Sequence, residues 1–113
     1  MKDEQILEEL GFNQFYDPDI PSGWTEKLFE KEINKENDVI RIFIAQYNMN
    51  DDDVKSLDLS KFWLEISTRT KRQRKFRQIY ENSFETVDEI IRDKELLFYI
   101  GKDVHKLKLR NLK

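Results

Sequence analysis

The chain has 113 residues, the length of one ordinary domain, and a net charge of −3. It contains no cysteine, which excludes disulfides, thiol catalysis, iron–sulfur clusters and cysteine-based zinc sites. Only 38% of the residues are apolar, but 8 Phe, 4 Tyr and 2 Trp are bulky enough for a compact core and set the sequence apart from disordered chains, which are poor in aromatics.

Ile6, Leu7 and Leu10 recur at helical spacing behind Asp3 and Glu4, and Gly11 stands where a C-terminal glycine ends a helix, so a short helix is predicted over residues 2–10. This acidic start is unlike the basic and apolar regions of a secretion signal, and no apolar run approaches the roughly 18 residues needed to cross a bilayer. A cytoplasmic protein without membrane contact is expected. Residues 12–23 hold both prolines, Pro18 and Pro21, with Asp17, Asp19, Ser22 and Gly23, which is turn-forming composition. Phe12, Phe15, Tyr16 and Ile20 are expected to fold this loop back over a sheet as a lid.

Two runs then read as a β-hairpin. Residues 24–33 alternate, although adjacent Leu28 and Phe29 leave the buried face of that strand undefined; residues 39–47 place Ile40, Ile42 and Ile44 on one face. A polar connection over 48–60 leads to a strand at 61–70, where Phe62, Leu64 and Ile66 alternate with Trp63, Glu65 and Ser67. A fourth strand, 75–82, sets Phe76, Gln78 and Tyr80 opposite Arg77, Ile79 and Glu81. Thr86 with Glu89 three residues on matches a capping box, predicting a helix over 87–99 ended by Gly101. The basic tail, 102–113, is an edge strand or a frayed extension. Assembled, the chain is expected to be a single α+β domain of two layers: a four-stranded antiparallel meander covered by a C-terminal helix, with a short N-terminal helix.

Charge is sorted along the chain. Residues 1–68 carry 16 Asp and Glu against 7 Lys and Arg, a balance of −9, whereas residues 69–113 carry 7 against 13, a balance of +6. The turn between the third and fourth strands concentrates Arg69, Lys71, Arg72, Arg74, Lys75 and Arg77. Such density suits phosphate or carboxylate groups, and flanking aromatics such as Phe76 and Tyr80 stack on bases if exposed. The opposite pole gathers Asp51, Asp52, Asp53 and Asp58 beside Glu26, Glu30, Glu32 and Glu36, a carboxylate surface that a basic partner would meet.

Catalytic and cofactor signatures are missing. His105 is the one histidine, set between Val104 and Lys106 without a residue to orient it; no serine lies in a Gly-x-Ser-x-Gly context, and no phosphate-loop or dinucleotide fingerprint occurs. The aspartates from Asp51 resemble a calcium loop in spacing only, because Lys55 replaces a ligand and the turn glycine is absent. No metal and no cofactor are expected. Trp63, out of phase with its apolar neighbours, faces away from the helix, and either it or Tyr80 is a candidate aromatic anchor. The sequence therefore points to a non-enzymatic binding, adaptor or inhibitor-type protein that recognises a macromolecule through a charge-polarised surface. A protein partner is expected first and nucleic acid through the basic hairpin second, with a homodimer through the Trp63 face as a further arrangement.

Overall fold

The computed structural model describes residues 3–16, 25–47 and 61–111. Its first element, α1 (Asp3–Glu9), is closed by a glycine turn: the Gly11 N–H donates to the Glu8 carbonyl at 3.0 Å and the Phe12 N–H to the Leu7 carbonyl at 3.0 Å. This is the pattern of a left-handed cap, and Gly11 has φ +90. A side chain there would also collide with Lys31, whose Nζ would lie 2.5 Å from the added Cβ. Leu7 and Phe12 on either side of the cap are both buried in the core.

The chain next forms β1 (Asn13–Phe15), β2 (Thr25–Asn34), β3 (Asp38–Tyr47), β4 (Phe62–Thr70) and β5 (Arg77–Phe84). These make one antiparallel sheet with neighbours in chain order. The α+β class and the meander agree with the sequence, but there are five strands in place of four. The additional strand comes from the predicted lid: Asn13–Phe15 pairs with Leu28–Glu30 at the sheet edge, and Phe12 anchors it in the core. Tyr16, which follows, is 85% exposed. The remainder of the predicted lid and the 48–60 connection lie outside the described residues.

Period-two alternation decides the layers. Ile40, Ile42 and Ile44 pair in register with Thr68, Ile66 and Leu64, so the two central strands bury five aliphatic side chains on one face. On β2 the ambiguity at Leu28 and Phe29 resolves because both are buried, Phe29 opposite Ile44 on the helix side and Leu28 opposite Ala45 on the other. β5 carries a bulge: Tyr80 pairs with Ile66 and Gln78 with Ser67, which leaves Ile79 as the extra residue.

Thr86 caps α2 (Val87–Ile90), its hydroxyl accepting from the Glu89 N–H at 3.2 Å as the capping box predicts. The predicted single helix over 87–99 is nevertheless broken. Asp93 starts a second helix, α3 (Lys94–Asn111), by accepting from the Leu96 N–H at 3.0 Å. Nor does Gly101 end the helix. The backbone kinks at Ile100 (φ −125, ψ 15) and runs on, so most of the predicted tail is helical. Leu96, Ile100, Val104 and Leu107 explain this, since they form one buried stripe through the kink. Burying Val104 and Leu107 gains roughly 1.5–3 kcal/mol each, more than the roughly 1 kcal/mol that a helical glycine costs.

Lys31 joins the layers: its ammonium donates to the Leu10 carbonyl at 2.6 Å and pairs with Asp103 of α3 at 3.3 Å. Lys27 pairs with Glu4, and Arg110 with Glu9, at the margins of the helical layer. Among the described residues no helix is long and apolar enough to cross a membrane.

Leu64→Ala is expected to cost about 2–5 kcal/mol because the side chain is fully buried. Ile79→Ala, at the exposed bulge, is expected to change stability by less than about 0.5 kcal/mol. Urea unfolding of the two variants checks the layer assignment; comparable losses would contradict it.

Candidate interaction surface

The loop from Lys71 to Phe76 joins β4 to β5 and is fixed by its own hydrogen bonds. The Gln73 N–H donates to the Thr70 carbonyl at 3.1 Å, and the Thr70 N–H donates to the Gln73 side-chain oxygen at 3.1 Å. Arg69 braces the loop, donating to the carbonyls of Thr70 (3.3 Å) and Gln73 (3.2 Å) with its guanidinium 5.1 Å from the Phe76 ring centre. Arg41 approaches the same ring at 5.7 Å. Of the six cations singled out in the sequence, Arg69 thus serves the loop. Lys71, Arg72, Arg74, Lys75 and Arg77 are exposed and, among the described residues, form no ion pair.

The tip has a neighbour. The Lys71 N–H donates to the Asn37 carbonyl at 3.0 Å, tying it to the β2–β3 turn. In that turn Lys35 places its ammonium 5.9 Å from the Phe98 ring and 5.7 Å from the Tyr99 ring, both on α3.

On the sheet face turned away from the helices, register places side chains in rows. Nearest the tip, Val39, Arg69 and Phe76 are adjacent; next come Glu32, Arg41 and Ser67; then Glu30, Phe43, Glu65 and Glu81; then Phe15, Leu28, Ala45, Trp63 and Ser83. Arg41 pairs with Glu30 at 3.0 Å, while its buried Nε has no hydrogen-bond partner. Glu65 faces Glu81 directly across the β4–β5 pair. Burial foremost, then the Glu81 charge, raises the Glu65 pKa above the ordinary glutamate range, with Arg41 opposing. Burial and the charge of Glu65 also raise the Tyr47 phenol.

The candidate anchors are placed differently. Trp63 lies on the outer face, as its phase predicts, and is half-buried. Tyr80 is turned by the bulge toward the helices, where its hydroxyl donates to Asp93 at 2.5 Å and accepts from Asn82 at 3.1 Å. Burial foremost, together with the Asp93 bond, raises its pKa. His105 is exposed on α3. Asp51, Asp52, Asp53, Asp58 and the Glu26 side chain lie outside the described residues, so the acidic pole is represented by Glu30 and Glu32 on β2 and Glu36 in the turn. Among the described residues, no three His, Asp or Glu side chains are grouped to hold a metal ion.

Sequence reasoning missed Phe98, which is 77% exposed and stands at the tip's end of the sheet. The signal was its phase within α3, two positions from both Leu96 and Ile100, legible only once the helix is carried through Gly101. No protein-family model matches the chain, and neither curated proteins nor solved structures give a match.

A carboxyl whose pKa is raised on folding binds its proton more tightly in the folded state, so ionising it subtracts stability. For Glu65 that loss is absent below the ordinary glutamate pKa of about 4.3 and develops as pH rises through the raised value. Glu65→Gln should therefore raise the urea midpoint relative to wild type near neutral pH, and the gain should vanish in acid. A pH-independent difference would contradict the assignment.

Proposed function

We propose that this chain is a small, non-enzymatic binding protein of the adaptor or inhibitor type, whose β4–β5 tip docks on an acidic surface of a protein partner. The observation that carries the reading is a hydrogen-bonded loop presenting Lys71, Arg72, Arg74, Lys75 and Arg77 to solvent without ion pairs among the described residues. Exposed like charges on a rigid turn repel one another, and a carboxylate-bearing surface relieves that repulsion while steering the encounter.

Two features favour a protein over a nucleic acid. The two aromatic residues of the hairpin itself are already engaged, Phe76 with two guanidinium groups and Tyr80 with Asp93, so neither offers the stacking platform that single-strand binding uses. Carboxylates also bound the cationic patch, Glu36 in the neighbouring turn and Glu65 and Glu81 two rows along the outer face, so no continuous track for phosphates extends from the tip across that face.

A pull-down with the tagged chain from nuclease-treated lysate should retain the partner, and Arg72→Ala/Arg74→Ala/Arg77→Ala should weaken its binding about tenfold or more, mainly through the association rate. Full binding by the triple variant would remove the tip from the interface. Loss of all captured material on nuclease treatment, with a steep salt dependence that the triple variant flattens, would assign the tip to nucleic acid instead.

A further inference from the structure

Charge at the tip gives encounter rate and register, but interfaces draw most of their binding energy from a few aromatic or arginine anchors that become fully buried. Phe76 and Tyr80 are engaged within the molecule, and Trp63 is half-buried in the row farthest from the tip. Phe98 is different. It projects from α3 on the side opposite the buried stripe of Leu96, Ile100, Val104 and Leu107, and 77% of its surface is in contact with solvent. Its ring is held from one side, because Tyr99 packs partly against the core and meets it edge-on, centroids 5.0 Å apart and planes at 89°.

The surroundings of the ring are cationic. Lys94 stands one helical turn before Phe98 and Lys102 four residues after it, beyond the Ile100 kink, both exposed and without an ion pair among the described residues, and Lys35 lies 5.9 Å from the ring centre. The turn that carries Lys35 accepts the Lys71 N–H through Asn37, so Phe98 and the basic tip are connected through one short turn. The acids nearby are Glu36 and Glu95.

We propose that Phe98 is the apolar anchor of the interface that the tip steers, and that the partner presents an acidic segment bearing one aromatic or large aliphatic side chain. That side chain covers the Phe98 ring while flanking carboxylates meet Lys35, Lys94, Lys102 and the tip. The assignment rests on the reading of the tip given above. A ring already held by Tyr99 loses little freedom on being covered, which favours its use as an anchor.

The test uses the full chain and two fluorescein-labelled acidic peptides, identical except for a central Trp in one and Gly in the other, with binding followed by anisotropy at low salt. The Trp peptide is expected to bind about tenfold more tightly. Phe98→Ala should abolish that ratio and leave the Gly peptide unchanged, and Phe98→Leu should keep part of it. The exposed position predicts normal folding for both variants, verified by circular dichroism. Arg72→Ala/Arg74→Ala/Arg77→Ala should weaken both peptides equally. Retention of the full ratio by Phe98→Ala overturns the anchor and leaves the tip standing; an undiminished Gly peptide in the triple variant overturns the tip; failure of both peptides to bind overturns both. A single-stranded oligonucleotide that binds more tightly than either peptide and is weakened by Phe98→Ala would make the ring a base-stacking platform and overturn the protein assignment.

Discussion

The surface at the end of the sheet depends on a single extra residue. Ile79 is unopposed in the β4–β5 ladder, so the strand changes phase there: Gln78 faces outward opposite Ser67, and Tyr80 faces the helices opposite Ile66. A one-residue shift exchanges the two faces of a strand. In a regular ladder Phe76, Gln78 and Tyr80 would share a face, and burying Tyr80 would draw Phe76 under the helices. The bulge lets both aromatics be used, Tyr80 beside Asp93 at the start of α3 and Phe76 beneath Arg41 and Arg69 on the outer face. It also commits Arg69 to the loop and leaves the cations beyond it in solvent.

The helical layer is set by a similarly local device. Lys31 lies on the core side of β2 opposite Ile42, where a charge is costly unless satisfied. Its long stem reaches the edge of the layer, and the ammonium meets the Leu10 carbonyl, left free as α1 ends, and the Asp103 carboxylate. Gly11 makes room for that approach. One side chain thereby joins β2, the end of α1 and the middle of α3. Asp93 does the corresponding work at the other end of α3, capping the helix with one carboxylate oxygen and holding the Tyr80 hydroxyl with the other. Between these fixed points the position of Phe98 beside the β2–β3 turn follows.

Much of this was legible in the sequence because it is local. Alternation in β3 and β4, the glycine after α1 and the Thr86 cap each involve residues close in the chain whose chemistry has one good outcome. Three features needed information from farther away. Asn13–Phe15 is too short to show a period, and it becomes a strand because Phe12 is pinned in the core and β2 offers an unpaired edge. Gly101 reads as a helix end until Val104 and Leu107 are seen to continue the buried stripe, when tertiary burial outweighs local propensity. The break at Asp93 had a local signal, an aspartate three residues before Leu96, but the preference for one longer helix concealed it. At the surface, sequence located the cations, whereas the exposure of Phe98 required the phase of the whole of α3.

A chain with a net charge of −3 can present a positive end because the sheet sets the distance between its charges. Glu65 and Arg69 occupy one strand four residues apart, about 13 Å at ~3.3 Å per residue, which exceeds the Debye length of about 8 Å at physiological ionic strength. Arg41 lies between the two groups, paired with Glu30 and attracting Glu65, so the carboxylate row is answered before its field reaches the tip. The cations beyond Arg69 are therefore governed by their immediate surroundings more than by the total charge. In dilute salt the Debye length lengthens to about 30 Å at 0.01 M, and the same carboxylates come within electrostatic range of the tip. The acidic partner proposed above would then be drawn by the tip and repelled by the rest of the molecule at once, so the orientation of approach, more than the strength of the attraction, would select the end of the sheet where Phe98 stands.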